Sequence, residues 1–220
     1  MFCIKKNLFC SSLLVQCRKF HQSIMSLSKT KVAVVQLNSK ENKNDNFNIA
    51  KELIENSHKN GAKMAFLPEC FDMIGKTRDE VFQNAESIDG SLVQQYRELA
   101  RQNQVWLSLG GLHEKVSKSE NNKVMNAHII INDAGEIVSV YHKVHLFNLD
   151  IPGTRLVESE FSIGGNAVVK PVNTPAGAVG LSICYDIRFA EQAISLAKAG
   201  ADILTVKIYF TNFFLSNYIH

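Results

Sequence analysis

From Lys31 onward, short apolar runs alternate with segments of helical periodicity, and this alternation restricts the possible folds more than any other feature of the chain. The runs "KVAVVQL" (31–37) and "KMAFLPE" (63–69) have the length and composition of buried strands. Between them, apolar residues recur at helical spacing, in a helix that we expect Asn44 or Asp45 to cap. Strands joined through helices in this way predict a layered α/β fold.

The second half of the chain adds hairpins to this pattern. A polar helix at 91–103 leads into a third strand, "VWLSLGG" (105–111). The runs "KVMNAHIII" and "EIVSVYHK" flank the turn "NDAG", and "AVVKPV" and "AVGLSIC" flank "NTPAG", so each pair predicts a hairpin. We expect a loop over 148–165 between the hairpins. A helix at 187–199 and a strand at 201–206 follow.

Composition and charge exclude several classes of protein. The 220 residues are 45% hydrophobic and 20% charged, which suffices for one domain with a sizeable core. Five of the 24 basic residues lie among the first 30, leaving 19 basic against 21 acidic residues in the rest. This balance does not favour nucleic-acid binding. No apolar stretch approaches the roughly 18 residues of a membrane span, so we expect no membrane-spanning segment.

The two cysteines in the body of the chain, and two of its histidines that are separated by two residues, raise the question of a metal site. Cys70 and Cys184 are too few and too far apart in sequence for a disulfide framework or a zinc site. His142 and His145 have a spacing that metal ligands use, and a zinc hydrolase is the rival enzyme class. No carboxylate or thiol at ligand spacing completes the set nearby, so we expect neither a metal nor another cofactor.

Three chemically capable side chains, Glu69, Lys143 and Cys184, each stand at or just after the carboxyl end of a predicted strand. Ligands of α/β proteins commonly bind outside such strand ends. A carboxylate, an ammonium and a thiol that meet there suit acyl transfer: a base, an oxyanion stabiliser and a nucleophile. Taken singly, each has a plain structural explanation, such as a strand cap, a solvated lysine or a packed thiol. Spacing alone leaves both interpretations open.

The sequences around these residues favour the catalytic interpretation. "FLPECF", "YHKVHLF" and "GLSICYDIRF" resemble, in order and in flanking residues, the three signatures of the nitrilase-like carbon–nitrogen hydrolases. The resemblance covers 31–205 and implies an α-β-β-α sandwich that needs no metal. It further implies that Glu69 is the general base, Lys143 the oxyanion stabiliser and Cys184 the nucleophile.

Two further site residues follow from the same resemblance. The family keeps a second glutamate in the loop after its lysine, and "LVESE" supplies Glu158 there, with Glu160 as the nearby alternative. We expect Glu158 to have a positioning role. Arg188 matches the family pattern "CYDxRF" and either holds a substrate carboxylate or pairs internally with an acid such as Asp186. Of these two roles we favour the internal pair, because such arginines usually form one.

Within the family, "FLPECFDMIG" and "WLSLGGLHEK" resemble the deaminated glutathione amidase branch, with the omega-amidase branch close behind. Both branches imply hydrolysis of a carboxamide on a small carboxylate-bearing molecule through a cysteine thioester. The expected partner is therefore a small-molecule amide. The family also implies that the chain can form homo-oligomers.

The end of the chain departs from the family pattern. After Thr205 it runs "VKIYFTNFFLSNYIH", an aromatic segment that is prone to aggregate if unpaired. We therefore divide the chain into a leader (1–30), an incomplete hydrolase domain (31–205) and a divergent tail (206–220). From this division we expect a sandwich incomplete at its carboxyl end, with low stability and weak activity. A non-catalytic relative, or a tail that binds a partner, are the alternatives.

The first 30 residues predict a targeting signal. They combine basic, serine and bulky apolar residues without any acid, which is typical of a mitochondrial presequence. A disordered extension is the alternative, and Met25 offers a start for a shorter, cytoplasmic form.

A fluorescent protein fused after residue 30 should therefore enter mitochondria, because the leader is basic and contains no acidic residue. The same fusion begun at Met25 is the control and should stay in the cytosol. Fluorescence microscopy checks both, and a cytosolic signal from the long version would overturn the presequence.

Overall fold

The computed structural model describes residues 30–116 and 122–208, which contain eleven strands and four α-helices. In chain order these elements are β1 (Val32–Val34), α1 (Lys43–Lys59), β2 (Met64–Phe66), α2 (Arg78–Asn84), α3 (Ser91–Asn103), β3 (Trp106–Lys115), β4 (Val124–Ile131), β5 (Ile137–His142), β6 (Asn148–Ile151), β7 (Thr154–Val157), β8 (Ser162–Ile163), β9 (Val172–Thr174), β10 (Gly177–Ile183), α4 (Ala190–Lys198) and β11 (Ile203–Lys207).

The strands form two main sheets. The larger has the order β1-β2-β3-β4-β5, and β8 pairs with β4. Strands β1, β2 and β3 are parallel, as helical connections require, whereas β3, β4 and β5 are antiparallel neighbours. The smaller sheet has the order β11-β10-β9, and β6 and β7 form a separate hairpin.

Alternating side chains along the strands of the larger sheet build two cores. On β2 and just after it, Ala65 and Leu67 face the helical side and join a cluster with residues of α1 and α3. Met64 and Phe66 point to the opposite side and pack in a cluster with Ile183 and other residues of β10. The larger sheet is therefore buried on both faces, which explains why its strands read as continuous apolar runs.

Helix α4 covers the outer face of the smaller sheet. Leu196 of this helix is buried, and a Cβ placed on Gly180 of β10 would lie 3.3 Å from the Cβ of Leu196. The layers thus run α1 and α3, larger sheet, smaller sheet, α4. This order confirms the predicted α-β-β-α sandwich.

The structure corrects several predicted elements in the first half of the chain. Helix α1 is capped by Asn42 rather than Asn44 or Asp45; the Asn42 side chain accepts hydrogen bonds from the backbone N–H groups of those two residues, at 2.9 and 3.3 Å. Helix α2 was not predicted, since its seven residues bury no side chain that would give an apolar stripe. Helix α3 has the predicted bounds.

The second half differs more from expectation. The segment 148–165, predicted as a loop, contains the β6–β7 hairpin, a 3₁₀ helix at Glu158–Glu160 and β8. The strand predicted at 167–172 is regular only from Val172. The helix predicted at 187–199 is divided into a 3₁₀ helix at Cys184–Arg188 and α4. Within residues 30–116 and 122–208, no helix has the length and apolar character needed to cross a bilayer.

One basic side chain lies between the two sheets. Lys207, at the end of β11, is 3% exposed, and its Nζ donates to the carbonyl oxygens of Leu67 and Ser108 at 2.8 and 3.2 Å. It also lies 5.0 Å from the ring centroid of Phe66. Burial lowers the pKa of Lys207 well below its ordinary value. The folded chain therefore binds fewer protons here than the unfolded chain does.

This difference predicts a pH dependence of stability. Between the lowered pKa of Lys207 in the folded chain and the ordinary lysine pKa of about 10.4, only the unfolded chain binds this proton. Over that pH range, the free energy of unfolding rises by up to about 1.4 kcal/mol per pH unit. Lys207→Met removes this dependence, so the stability of the variant relative to wild type should fall as pH rises toward the ordinary lysine value of about 10.4.

Denaturant unfolding at several pH values measures this effect. Lys198→Met, which changes an exposed lysine of α4, is the matched control and should unfold in parallel with wild type. Parallel pH profiles for Lys207→Met and wild type would show that the buried amine does not titrate in this way.

Candidate active site

Three strand ends bring the predicted site residues together. Glu69 follows β2, Lys143 follows β5 directly, and Cys184 follows β10 directly. Because β2 and β5 belong to the larger sheet and β10 to the smaller, the site lies where the two layers of the sandwich meet. The Nζ of Lys143 is 3.5 Å from Oε1 of Glu69.

Lys143 is shared by two carboxylates. It is 3% exposed, and its Nζ donates to both oxygens of Glu158, at 3.0 and 2.9 Å. The backbone N–H of Phe147 donates to Oε2 of Glu158 at 2.6 Å and fixes that carboxylate. Burial alone would lower the pKa of Lys143, but the charges of Glu69 and Glu158 raise it above its ordinary value. The amine is therefore an ammonium at neutral pH.

Glu69 is held from two sides. The Nδ2 of Asn126, on β4, donates to Oε1 of Glu69 at 2.9 Å. On the other side, Gly111 of β3 has a φ of 78°, and an added Cβ there would lie 2.7 Å from Cγ of Glu69. Only glycine adopts this backbone conformation readily and leaves room for the carboxylate. Sequence reasoning did not identify Asn126; its only signal is a polar residue inside the apolar run "KVMNAHIII".

Cys184 occupies a strained turn. It opens the 3₁₀ helix Cys184–Arg188 with a φ of 45°, in the left-handed region that non-glycine residues rarely adopt. Such strain is concentrated at functional sites. The thiol forms a side-chain hydrogen bond with Glu69; burial and the Glu69 carboxylate raise the pKa of Cys184, and the Lys143 ammonium opposes them. The resting thiol is therefore protonated and has a base beside it.

The structure separates the two candidate glutamates. Glu158 is buried and its carboxylate reaches Lys143. Glu160 points elsewhere, pairing with Arg78 at 2.7 Å and with Arg155. These two guanidiniums, Arg155 first, lower the pKa of Glu160 to about 2.

Comparison with known proteins gives the family. A model of the family described as Carbon-nitrogen hydrolase matches residues 31–216. The chain belongs to this family. The sequence resemblance to carbon–nitrogen hydrolases is thereby confirmed, and the boundary drawn at residue 205 stays a prediction.

Individual relatives agree with the family match. A deaminated glutathione amidase of Rattus norvegicus is 46% identical over 176 residues, 79% of this chain and 54% of the relative. A fusion protein of Drosophila melanogaster, named nitrilase and fragile histidine triad fusion protein NitFhit, is 42% identical over 198 residues, 87% of this chain and 42% of the relative. The chain thus spans about half the length of the curated relatives it matches.

A solved structure shows the same fold. The crystal structure of the Caenorhabditis elegans NitFhit protein superposes with a TM-score of 0.78 at 43% sequence identity, over 85% of this chain and 45% of that one. The carbon–nitrogen hydrolase fold is therefore present in the described residues.

The predicted internal pair of Arg188 is wrong. In this member of the family, the carboxylate of Asp186 accepts hydrogen bonds from the hydroxyl of Tyr141 at 2.7 Å and from Nδ1 of His145 at 2.8 Å. Arg188 is exposed and forms no ion pair within the described part of the chain. The reason is the direction of the turn: Asp186 points into the interior and Arg188 out of it.

The two histidines considered as metal ligands each bind a different acid. Nε2 of His142 lies 2.6 Å from Oε2 of Glu114, and Nδ1 of His145 lies 2.8 Å from Oδ1 of Asp186. Among residues 30–116 and 122–208, no three histidine, cysteine, aspartate or glutamate side chains are grouped as ligands for a metal ion.

Proposed function

We propose that the chain is an amidase, which hydrolyses the carboxamide of a small carboxylate-bearing molecule through a thioester on Cys184. One observation carries this proposal: a single ammonium, on Lys143, is held between the carboxylates of Glu69 and Glu158, with the Cys184 thiol beside Glu69. This set contains a nucleophile, its base and a fixed positive charge, which are the groups that acyl transfer requires.

In the first half-reaction, the Glu69 carboxylate takes the proton of the Cys184 thiol while sulfur attacks the carbonyl carbon of the amide. The carbonyl oxygen becomes an oxyanion, which the Lys143 ammonium stabilises. The carbon–nitrogen bond then breaks, and the nitrogen leaves with the proton that Glu69 had taken. The acyl group remains on sulfur as a thioester.

In the second half-reaction, Glu69 takes a proton from water, and the resulting hydroxide attacks the thioester. The carbon–sulfur bond breaks, the thiolate recovers its proton from Glu69, and a carboxylic acid is released. Glu69 therefore acts as base and acid in turn, and the site returns to its starting state.

Glu158 supports this chemistry without taking part in it. Its two oxygens both bind the Lys143 ammonium, so the ammonium keeps its place when Glu69 is protonated and uncharged. Buried ion pairs need such additional hydrogen bonds to offset the cost of desolvation.

Two features support the substrate class. The Rattus norvegicus relative is named deaminated glutathione amidase, and its identity of 46% extends over 79% of this chain. Arg188, four residues after Cys184, is exposed and has no internal partner in the described residues, so its guanidinium is available for a substrate carboxylate. We therefore propose deaminated glutathione and short dicarboxylic monoamides as substrates.

Substitution of the proposed catalytic residues tests the function. Release of the amine from these amides by the purified 220-residue chain should be abolished in Cys184→Ser, because a hydroxyl is a far poorer nucleophile at neutral pH. Lys143→Met should lower the rate by roughly 100- to 1000-fold through loss of the oxyanion donor.

The chain offers matched controls for both variants. Cys70→Ser changes the other cysteine described, and Lys170→Met changes an exposed lysine; both should keep the wild-type rate. Wild-type turnover in Cys184→Ser would refute the assignment of the nucleophile. A cooperatively folded wild type that releases no amine would instead favour the non-catalytic alternative.

A further inference from the structure

A buried carboxylate beside the site is not used by the chemistry proposed above. Asp186 lies two residues after Cys184, and its side chain is fully buried. Oδ2 accepts hydrogen bonds from the hydroxyl of Tyr141 at 2.7 Å and from the backbone N–H of Ile183 at 2.9 Å. Oδ1 accepts from the backbone N–H of His145 at 3.1 Å and from its Nδ1 at 2.8 Å.

These contacts connect the two segments that carry the nucleophile and the ammonium. Ile183 directly precedes Cys184, and His145 follows Lys143 by two residues. One carboxylate therefore binds the backbone of both segments, which belong to different sheets. Hydrogen bonds to a charged acceptor are shorter and stronger than those between neutral groups. The bonds to Asp186 therefore fix the distance between the two segments.

We propose that Asp186 is a positioning residue, which holds the Lys143 ammonium at its working distance from the Cys184 sulfur. The role rests on the amidase proposed above, because only a reaction at Cys184 requires that distance. A displacement of about 1 Å in such a site can cost roughly 100-fold in rate.

Aromatic side chains join the same two segments. The ring of His145 stacks on Phe189, with centroids 3.6 Å apart and planes at 10°. Phe147 packs edge-on against Tyr185 at 5.1 Å, and Tyr185 against Phe189 at 5.5 Å. His145 and Phe147 come from the lysine segment, Tyr185 and Phe189 from the turn after the nucleophile. The aromatic contacts between the two segments are apolar, and the hydrogen bonds of Asp186 add a directional contact between the same segments.

A variant of Tyr141 distinguishes two roles of Asp186. In one, Asp186 positions the two segments; in the other, its hydrogen bonds only stabilise its own buried charge. Burial, followed by the Asp186 carboxylate, raises the pKa of Tyr141, so its hydroxyl stays protonated and donates. Tyr141→Phe removes this hydrogen bond and those that the hydroxyl accepts from the backbone N–H of Val144 at 3.2 Å and from Nε2 of Gln192 at 3.0 Å. It leaves the bonds from Ile183 and His145 to Asp186 in place. Asp186→Asn keeps the shape of the side chain but presents an NH₂ group to one of its N–H donors, which breaks the link.

If Asp186 acts only through its negative charge, its removal changes the alkylation rate of Cys184 in the opposite direction. The ionisable groups that act on Cys184 include Glu69 and Glu158, which disfavour the thiolate, and Lys143, which favours it. If Asp186 acted only as one more negative charge, its removal would favour the thiolate and accelerate alkylation of Cys184. If Asp186 holds Lys143 in place, its removal lets the ammonium move away, and alkylation slows.

The experiment compares alkylation of Cys184 by iodoacetamide, followed by peptide mass spectrometry at about pH 8, with amide turnover in the same preparations. In Asp186→Asn, we expect alkylation to slow at least tenfold and kcat to fall roughly 10- to 100-fold, with KM within about threefold of wild type. Tyr141→Phe should stay within about threefold of wild type in all three measurements.

Faster or unchanged alkylation in a folded Asp186→Asn variant would overturn the proposal, as would equal losses in Tyr141→Phe. If Asp186→Asn does not fold, His145→Phe decides in its place, because it removes the bond from Nδ1 to Asp186 and keeps an aromatic ring to stack on Phe189: slower alkylation supports the link and an unchanged rate contradicts it. Absence of wild-type amide turnover would defeat the amidase proposal, and the alkylation rates would still decide whether Asp186 positions Lys143.

Discussion

The buried ammonium of Lys143 is the constraint on which the site depends. A charge removed from water costs several kcal/mol unless it is paired with good geometry, and here both Glu158 and Glu69 supply the pairing. Each of these carboxylates is in turn held by a hydrogen bond, from the backbone of Phe147 and from the amide of Asn126. Displacement of Lys143 would remove the positive charge that both buried carboxylates share, so the site is fixed by electrostatics as well as by packing.

The sandwich explains why these groups can meet. The apolar faces of the two sheets pack against each other, and this packing brings the ends of β2, β5 and β10 to one place. Two backbone features complete the arrangement: the left-handed conformation of Cys184, and the absence of a side chain at Gly111 beside Glu69. Stability of the core and geometry of the site therefore have the same origin, the burial of both faces of the larger sheet.

The sequence predicted the layers of the sandwich, because strand periodicity carries that information, and three motifs pointed to Glu69, Lys143 and Cys184, which the structure brings together. The resemblance placed Glu158 ahead of Glu160 for the positioning role, but the spacing of the two residues alone does not separate them. Glu158 and Glu160 would share a face in a strand, but in the 3₁₀ helix that forms there, with three residues per turn, they point to different sides. Arg188 was misjudged for a similar reason, since the direction of its turn depends on the burial of Asp186. The orientation of these side chains depends on tertiary contacts, which the spacing of residues in the sequence does not reveal.

The central claim is that Lys143, Glu69 and Cys184 together make a thioester from an amide, and the mass of the acylated protein tests it most directly. Acid quench soon after mixing with a short dicarboxylic monoamide should trap wild-type chain whose Cys184 peptide has gained the acyl group in place of one hydrogen. Glu69→Gln, which lacks the base, should give no adduct, whereas Lys170→Met should give as much as wild type. Folded wild-type chain without an adduct, or with the acyl group on Cys70, would contradict the claim.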